Sequence, residues 1–323
     1  MLDTPADQHP VLSAPTRMTA MRVNEFGGPE VIIGEEIALP APGDDQVLVR
    51  VHAAGVGPWD AWIRSGQSVV PQPLPLTLGS DVSGCVAAVG DGVSRFKRGD
   101  QVFGVTNGRF TDGYAEYALC SAAMLAPKPV TLTHVEAASA PVVAVTASQL
   151  LFDFAGLRSG QRVLIQGAAG NVGAYAVQLA HGAGLHVLAT GKLDEAAQLQ
   201  ALGADTVIDR DAPGNMQVDA VIDLVGGEHQ DRLFDYLAPG GILVSAVKEP
   251  DAMLAMDRGV RARFMLVDVR ADDLGKLATM FEQGVLKPWV GTVLPLADAQ
   301  LAHRMLAGIA PRTPGKIVLQ VRP

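Results

Sequence analysis

The stretch 163–180, VLIQGAAGNVGAYAVQLA, constrains the fold of this chain more than any other. Its first residues are apolar and predict a buried strand, and a glycine-rich turn follows at once. From Val172 to Ala180, small and apolar residues recur at helical spacing. The stretch therefore predicts a strand, a tight turn and a helix in direct succession.

The turn contains Gly167, Gly170 and Gly173 in a variant of the dinucleotide-binding fingerprint, with alanine where one glycine is usual. We expect Gly170 to let the backbone approach a pyrophosphate, and Gly173 to let the helix pack close to the strand. The free N–H groups and the positive dipole end of the helix would then face the phosphates. Because glycine-rich turns also serve only as turns, the interpretation depends on the position between a strand and a helix.

Length and composition limit the alternatives. A chain of 323 residues exceeds the usual size of one domain, so two domains are expected. Its net charge of −9 and the lack of a Lys/Arg run argue against a nucleic-acid partner. Cys85 and Cys120 are far apart and outside any CxxC pair, which predicts neither a disulfide framework nor a cysteine zinc site.

The N-terminal segment predicts a disordered tail over residues 1–19. Up to about Arg17 it is polar, acidic and proline-bearing, unlike a signal peptide. No run approaches the roughly 18 apolar residues of a membrane span. Together with the sparse cysteines, these features predict a soluble, cytoplasmic protein.

The first half of the chain, from residue 20 to about 140, is predicted to be mostly β. Short alternating segments such as Val47–Val51 are separated by Gly, Pro and Asp. One short helix interrupts them: Gly57 precedes it, Pro58 fits its first position, and Gly66 can end it.

From Val143, strands and helices alternate, which predicts a doubly wound parallel sheet in an α/β chain. The predicted strands are Arg162–Gln166, His186–Thr190, Thr206–Ile208, Asp219–Leu224, Ile242–Ala246 and Arg263–Val267. The predicted helices are Val172–Gly182, Asp194–Leu202, Gln230–Tyr236 and Asp272–Gln283. After Lys287 short strands return, with a helix near Ala297–Leu306, so the end of the chain is predicted to pack back onto the first domain.

The tip of the second parallel strand distinguishes the two nicotinamide dinucleotides. It reads Thr190-Gly191-Lys192 and contains no carboxylate, which favours NADPH. Lys192 would provide a point charge for the 2′-phosphate. In the alternative interpretation, Lys192 is a solvated loop residue and Asp194 caps the next helix or binds the ribose.

Several segments, in order, resemble the zinc-free quinone oxidoreductase branch of the medium-chain dehydrogenase/reductase superfamily, to which the zeta-crystallin-like proteins belong. The resemblance runs from about Met18 to the C-terminus. The matching segments are FGGPEV (26–31), GSDVSGCVAAVG (79–90), FKRGDQVFG (96–104), GYAEYA (113–118), GAAGNVGAYAVQLA (167–180), LGAD (202–205) and PGKIVLQV (314–321).

The resemblance implies a GroES-like β domain packed against a Rossmann domain, with the active site in the cleft between them. The GroES-like domain would comprise residues 20–142 and 288–323, and the Rossmann domain residues 143–287. The resemblance also implies NADPH-dependent, zinc-independent reduction of quinones or α,β-unsaturated carbonyls. It implies a homodimer in which the last sheet strand, Arg263–Val267, pairs across the interface, whereas an ordinary edge strand is the alternative.

Zinc-dependent relatives hold a catalytic metal with a Cys, a His-Glu pair and a third ligand. The resemblance places Gly57 at the first position and Ser80-Asp81 at the pair, and no Cys, His, Asp or Glu lies between Glu136 and Asp153. Because catalytic zinc needs three protein ligands and an open position, no catalytic metal is expected.

The resemblance also implies the residues that bind NADPH. Thr146 would lie near the nicotinamide, Arg210 would stack on adenine, and Lys316 would close the site from the returning tail; for these three a structural or surface role is the alternative. The implied cofactor-binding residues are Thr146, Gly167, Ala168, Ala169, Gly170, Asn171, Val172, Gly173, Thr190, Gly191, Lys192, Arg210, Val225, Ser245, Ala246, Val247 and Lys316.

The substrate pocket is expected to be apolar and aromatic. Gly57 and Trp62 occupy positions where relatives often carry Asn and Tyr, so no side-chain acid is assigned and the catalytic residues stay unknown. The hydride would come from NADPH, and the proton from solvent or the ribose. Candidate pocket residues are Gly57, Trp59, Trp62 and Tyr114, with packing as the alternative for Tyr114 and for one tryptophan.

Other polar residues receive structural interpretations. Asp60 and Arg64 are four residues apart on the short helix and predict a local ion pair. The histidines, including His52 and His134, show no metal-binding spacing and are expected to be structural or solvated. The predicted function is an NADPH-dependent quinone or enone reductase; the alternative is an NADPH-binding sensor or structural protein with little turnover.

Overall fold

The structure, a computed structural model, describes residues 15–209 and 216–322. The strands are β1 (Arg17–Val23), β2 (Ile33–Ala38), β3 (Gln46–Val56), β4 (Leu76–Thr77), β5 (Asp81–Val89), β6 (Gln101–Val105), β7 (Tyr117–Ser121), β8 (Leu125–Pro127), β9 (Arg162–Gln166), β10 (His186–Thr190), β11 (Thr206–Ile208), β12 (Val218–Asp223), β13 (Leu237–Ser245), β14 (Arg261–Phe264), β15 (Val290–Pro295) and β16 (Lys316–Gln320). The α-helices are α1 (Pro58–Arg64), α2 (His134–Ala138), α3 (Pro141–Ser148), α4 (Asn171–Gly182), α5 (Ala196–Ala201), α6 (Ala252–Asp257), α7 (Ala271–Glu282) and α8 (Ala299–Leu306). Short 3₁₀-helices lie at Pro29–Val31, Ala122–Met124, Leu193–Glu195, Gly227–Tyr236 and Leu296–Asp298, and a π-helical turn lies at Gln149–Phe154.

The mostly β half is built around β3. The order of its sheet is β15-β16-β3-β5-β6-β8, and β7 pairs with the first part of β3. Val47, Val49 and Val51 on β3 are completely buried, because alternate residues of the strand face the core. The C-terminal strand β16 pairs antiparallel with β3, so the end of the chain returns to the sheet of the N-terminal half.

A small sheet of the order β2-β1-β4 lies at the N-terminal end of the described chain. The predicted tail extends too far, because residues 17–19 belong to β1 and Met18 is buried. The segment RMTAMRV alternates polar and apolar residues, which is a strand pattern that the prediction overlooked. The remainder of the tail prediction falls on residues 1–14, which lie outside the described residues.

The second half contains a parallel sheet in the order β11-β10-β9-β12-β13-β14. This is the doubly wound order 3-2-1-4-5-6, and it confirms the predicted fold class. Val163, Leu164 and Ile165 on β9 are all buried, because helices cover both faces of such a sheet. The first three predicted strands occur with the predicted bounds. The other three are displaced: β12 by one residue, β13 by a start five residues earlier, and the last one spans Arg261–Phe264 instead of Arg263–Val267.

Two predicted helices differ in type. The segment predicted as a helix over Gln230–Tyr236 is a 3₁₀-helix over Gly227–Tyr236. Two glycines at its start, Gly226 and Gly227, have φ values of +64° and +77°, which is the left-handed region that favours glycine. The predicted helix Asp194–Leu202 divides into a 3₁₀ turn and the short α5.

The interior is continuous between the two halves. One core cluster contains Phe103 and Val105 of β6 together with Val142 and Val145 of α3 and the central strands of the parallel sheet. Packing of α3 therefore joins the two sheets. Among the described residues, no helix is long and apolar enough to cross a membrane.

Candidate active site

The glycine turn has the geometry that the sequence predicted. Gly167 has a φ of +82°, and α4 begins after Gly170, which has no side chain to cap the helix. A Cβ atom on Gly173 would lie 2.3 Å from the carbonyl oxygen of Gly167 and 2.6 Å from Ala168. Gly173 is therefore required for the close packing of α4 against the turn, and a Cβ atom on Gly170 would lie 3.2 Å from the Gly167 carbonyl oxygen.

The start of α4 can bind an anion through its backbone. Because α4 begins without a side-chain cap, the N–H groups of Asn171, Val172 and Gly173 have no side-chain partner there. Just before the turn, Gln166 is almost completely buried, and its Oε1 atom has no hydrogen-bond partner among the described residues. The N–H groups of the turn fit the acceptor oxygens of a dinucleotide pyrophosphate, whereas Gln166 Oε1 could accept only from a donor such as a hydroxyl group.

The tip of β10 supports the glycine turn. Thr190 is buried, and its Oγ1 accepts a hydrogen bond of 3.0 Å from the Gly167 amide. A Cβ atom on Gly191 would lie 2.5 Å from Leu199, so this glycine is needed for packing against α5. Lys192 is exposed, and among the described residues no hydrogen bond or ion pair engages its ammonium group.

The strand tip Thr190-Gly191-Lys192 contains no carboxylate of its own, but a carboxylate from the next turn reaches it. Glu195 folds back to the tip, and its Oε2 accepts a hydrogen bond of 2.8 Å from the Lys192 amide. This contact is half of a capping box, so the carboxylate is bound to the backbone. The helix-capping role that the alternative interpretation gave to Asp194 therefore belongs to Glu195.

A buried carboxylate that the sequence analysis did not identify organises the neighbouring strand ends. Asp223 is completely buried at the end of β12. Its Oδ1 accepts from the Val225 and Gly226 amides at 3.0 and 2.9 Å, and its Oδ2 accepts from Gln230 and Ser245 at 2.9 Å each. Val225 and Ser245, which the resemblance placed beside the cofactor, are thus both held by the Asp223 carboxylate. The sequence pattern that could have identified Asp223 is an acidic residue at the end of an apolar strand.

The loop after β13 depends on the same network. Ser245 Oγ accepts from the Val247 and Lys248 amides at 3.2 Å each. Ala246 donates its amide to the Asp223 carbonyl oxygen at 3.2 Å. Val247 is exposed at the surface of this edge, beside the exposed Val225. The carboxyl ends of β9, β12 and β13 therefore present a rigid backbone surface.

Across from these strand ends, α1 positions an indole ring. A Cβ atom on Gly57 would lie 2.3 Å from the ring of Trp59, so Gly57 allows the ring to fold back over the start of the helix. The Trp59 indole N–H donates to Ser80 Oγ at 2.9 Å, and the Lys316 ammonium lies 4.3 Å from the ring centroid. Trp62, predicted to form the same wall, is 49% exposed and points away from this packing.

Asp81 and Lys316 form a completely buried ion pair with an N···O distance of 2.8 Å. The second oxygen of Asp81 accepts from the Val142 amide at 3.0 Å, at the start of α3. Burial raises the pKa of Asp81, and the Lys316 ammonium opposes that effect. Thr146, the implied nicotinamide neighbour, is buried and donates its hydroxyl to Val142 within α3.

The predicted ion pair between Asp60 and Arg64 is wrong. Asp60 is completely buried and accepts from the Gly57 amide at 2.8 Å and from the Tyr114 hydroxyl at 2.9 Å, while its Oδ1 has no partner in the described part of the chain. Burial raises the pKa of Asp60 to about 7. Arg64 turns instead to the Gly27 carbonyl and to Nδ1 of His303. Tertiary contacts thus override the helical spacing.

Tyr114 is not a pocket residue. Its side chain is completely buried, and its ring packs so closely on Gly79 that a Cβ atom there would lie only 2.0 Å from the ring. The packing alternative is therefore correct for this residue. Arg210, implied to stack on adenine, lies outside the described residues.

Phe110 is an aromatic residue in a left-handed conformation that the sequence analysis did not single out. Its φ is +61°, and the turn that holds it is fixed by the Asn107 carbonyl, which accepts from the Phe110 amide. Phe110 and Trp59 are the partly buried aromatic residues that pack against the core clusters of both halves. A left-handed aromatic residue leaves no simple pattern in the sequence, because the conformation is set by its loop.

Comparison with known proteins identifies the class. Residues 43–130 match the family described as alcohol dehydrogenase GroES-like domain, and residues 202–319 match the family described as zinc-binding dehydrogenase. The chain belongs to the medium-chain dehydrogenase/reductase superfamily, and it is an oxidoreductase. These matches imply a nicotinamide cofactor.

Within the superfamily, the chain is similar to the quinone oxidoreductase of Rattus norvegicus, with 34% identity over 307 residues that cover 88% of this chain and 93% of the relative. Among solved structures, an NAD-dependent alcohol dehydrogenase has a TM-score of 0.86 and 32% identity, covering 94% of this chain and 100% of its own. A mycobacterial protein solved in complex with NADPH has a TM-score of 0.82 and 30% identity, with 94% and 100% covered.

Proposed function

We propose that this protein uses NADPH to reduce quinones or α,β-unsaturated carbonyl compounds without a catalytic metal. The observation that carries the proposal is the glycine turn, where the first N–H groups of α4 have no side-chain cap among the described residues and can donate to phosphate oxygens. The similarity to quinone oxidoreductases supports the substrate class.

The tip of β10 supports NADPH over NADH. The Lys192 ammonium is exposed and unengaged among the described residues, whereas the nearby Glu195 carboxylate is bound to a backbone amide. A ribose 2′-phosphate would gain a cation from Lys192, and the strand tip Thr190-Gly191-Lys192 itself offers no carboxylate to a 2′-hydroxyl. The NADPH complex of the mycobacterial relative agrees with this choice.

The cleft residues do not fit a catalytic zinc ion. Of the positions that the resemblance assigns to zinc ligands, Gly57 has no side chain and the Ser80 hydroxyl is bonded to Trp59. Both oxygens of Asp81 are engaged, one by Lys316 and one by a helix amide. A zinc site needs thiolate, imidazole or carboxylate donors that can all point at one ion. Gly57, Ser80 and Asp81 instead pack against Trp59 and hold the start of α3.

When bound, NADPH supplies the hydride. The chain positions the reactants: the backbone of the glycine turn binds phosphates, and hydrogen bonds of Thr190 and Asp223 hold the strand ends in place. Neither Lys316 nor Asp81 can release a proton to substrate, because the pair is completely buried. The proton then comes from solvent or from the ribose hydroxyl of the cofactor.

The experiment is steady-state oxidation of NADPH and of NADH with a panel of quinones, enals and enones, using protein dialysed against a chelator. Turnover with NADPH in the chelated protein supports the proposal. Tight NADPH binding without turnover on any acceptor would instead support a sensor or structural role.

We also infer a homodimer through the edge of the parallel sheet. β14 is the edge strand, and Phe264 and the following Leu266 are exposed there, with Leu266 at 63%. An exposed strand edge with apolar side chains is a template for pairing with a second copy. Light scattering of the wild type and of Leu266→Asp tests this inference, since a monomeric wild type would contradict it.

A further inference from the structure

Outside the cofactor cleft, the fold brings together three side chains that are common metal ligands. His52 lies on β3, Cys85 on β5, and His134 opens α2. One nitrogen from each histidine and the Cys85 sulfur lie within 4.8 Å of one another. We propose that these residues bind a zinc ion, with a fourth position open to water.

The spacing of two of the atoms already matches a tetrahedral site. Cys85 Sγ lies 3.8 Å from His52 Nε2. Zinc bonds of about 2.3 Å to sulfur and about 2.1 Å to nitrogen place such atoms about 3.6 Å apart. The β3–β5 pairing fixes this distance, because a register shift between Val51 and Ala53 makes His52 the extra residue opposite β5.

Hydrogen bonds select the nitrogen that His134 offers. Ser83 Oγ donates its single proton to the Val102 carbonyl at 3.0 Å, and it lies 2.8 Å from Nδ1 of His134. Since Ser83 has no second proton to give, Nδ1 of His134 is the donor in that contact. In the neutral ring the lone pair is then on Nε2. This arrangement, a ligand histidine whose other nitrogen donates to a fixed acceptor, is the usual support of a metal-bound imidazole.

The ammonium group of the neighbouring Lys128 donates to the carbonyl oxygens of Pro129 and Leu132, so these bonds hold it to the backbone beside the three ligands.

Binding requires one local change. The rings of His52 and His134 are stacked, with centroids 4.3 Å apart and planes at 19°. An imidazole holds a metal in its own ring plane, so both rings must tilt until their planes converge. All three side chains are half-buried, which leaves room for this movement and access for the ion.

Zinc is the metal that this donor set favours. Two imidazoles and one thiolate are borderline-to-soft donors, unlike the oxygen ligands that Mg²⁺ and Ca²⁺ prefer. The ion would connect β3 and β5 to α2, the helix that leads into α3. The inference does not depend on the proposed reaction, since none of these residues lines the cleft described above.

The test is a titration of the chelated full-length protein with Co²⁺, which substitutes for zinc and reports its ligands by absorption. We expect tetrahedral cobalt bands and a thiolate-to-cobalt charge-transfer band that saturate at one ion per chain and are abolished by adding Zn²⁺. Cys85→Ser should lose the charge-transfer band. Ser83→Ala should weaken binding about tenfold or more, because it removes the support of His134.

Matched controls separate the site from general damage. Cys120→Ser removes the other thiol, and His229→Ala removes an exposed histidine elsewhere; both should keep the cobalt spectrum. The far-ultraviolet circular dichroism spectrum and the thermal unfolding midpoint without metal should be close to wild type in all of these variants, which shows that they are folded. A folded wild type with no charge-transfer band at saturating Co²⁺, or a band that persists in Cys85→Ser, would overturn the proposal.

Discussion

The carboxylate of Asp81 and the ammonium of Lys316 are 2.8 Å apart and completely buried, and they join residues that are 235 positions apart in the chain. Asp81 also accepts from the first turn of α3, so one carboxylate connects the β5 strand, the C-terminal strand and the helix between the two sheets. Of the two positions that the resemblance aligns with a metal-binding pair, Asp81 is thus engaged in an internal ion pair and Ser80 accepts from the Trp59 indole.

Removing one partner of this pair should destabilise the protein strongly. Lys316→Met leaves a buried carboxylate without a counter-charge, which typically costs about 3 kcal/mol or more of unfolding free energy. The double variant Asp81→Asn/Lys316→Met should recover part of that loss. Denaturant unfolding of both single variants and the double variant measures the coupling. Additive effects would show that the two groups do not interact.

The two kinds of glycine in this chain should respond oppositely to a methyl group. Gly173→Ala places a Cβ atom 2.3 Å from the Gly167 carbonyl oxygen, so it should disturb the turn and weaken NADPH binding. Gly275→Ala, in the middle of α7 with no atom within 4 Å, should stabilise the protein by up to about 1 kcal/mol. Unfolding and NADPH titrations of both variants check this. Normal NADPH affinity in Gly173→Ala would contradict the assignment of the turn.

The buried Asp60 should make stability depend on pH. Its pKa is about 7 in the folded protein against an ordinary value of 3.8. Between these values only the unfolded state ionises, so the folded state binds more protons and the unfolding free energy falls as the pH rises. Above about pH 7 Asp60 is ionised in both states, so its contribution to the unfolding free energy no longer changes with pH.

We therefore expect the difference in unfolding free energy between wild type and Asp60→Asn to fall by up to about 1.4 kcal/mol per pH unit within this window. Equilibrium unfolding between acid and neutral pH measures it. The exposed Asp91→Asn is the control, and its difference from wild type should stay flat. A flat difference for Asp60→Asn as well would disprove the raised pKa.

Lys192 should determine the choice of dinucleotide. In Lys192→Glu the added carboxylate would repel a 2′-phosphate, so the dissociation constant for NADPH should rise far more than that for NADH. Lys192→Gln, which removes the charge without adding one, should give an intermediate shift. Fluorescence titration with both dinucleotides provides the constants. Equal effects on the two would remove Lys192 from the 2′-phosphate site.

The sequence predicted those parts of the fold that depend on local pattern. The strand, turn and helix from Arg162 to Gly182 occur as expected, because buried parallel strands and a glycine turn leave a contiguous signal. The helix α1 also begins at Pro58 and is followed by Gly66 with a φ of +76°.

Side-chain partners were predicted less well, because they are decided by tertiary packing. Asp60 and Arg64 share a helix, yet each bonds to a residue of another segment. Glu195 reaches the tip of β10 only because the chain turns through a short 3₁₀-helix. The proximity of His52 to His134 follows from a strand register and a distant helix, which no spacing in the sequence records.

The most direct test of the central claim is a crystal structure of the protein with NADPH. We expect the pyrophosphate to lie on the N–H groups at the start of α4 and the 2′-phosphate to lie beside Lys192. We expect the nicotinamide ring in the cleft near Trp59, with no metal there. A glycine turn without a bound dinucleotide at saturating NADPH, or a zinc ion held in the cleft, would contradict the proposed metal-free, NADPH-dependent reaction.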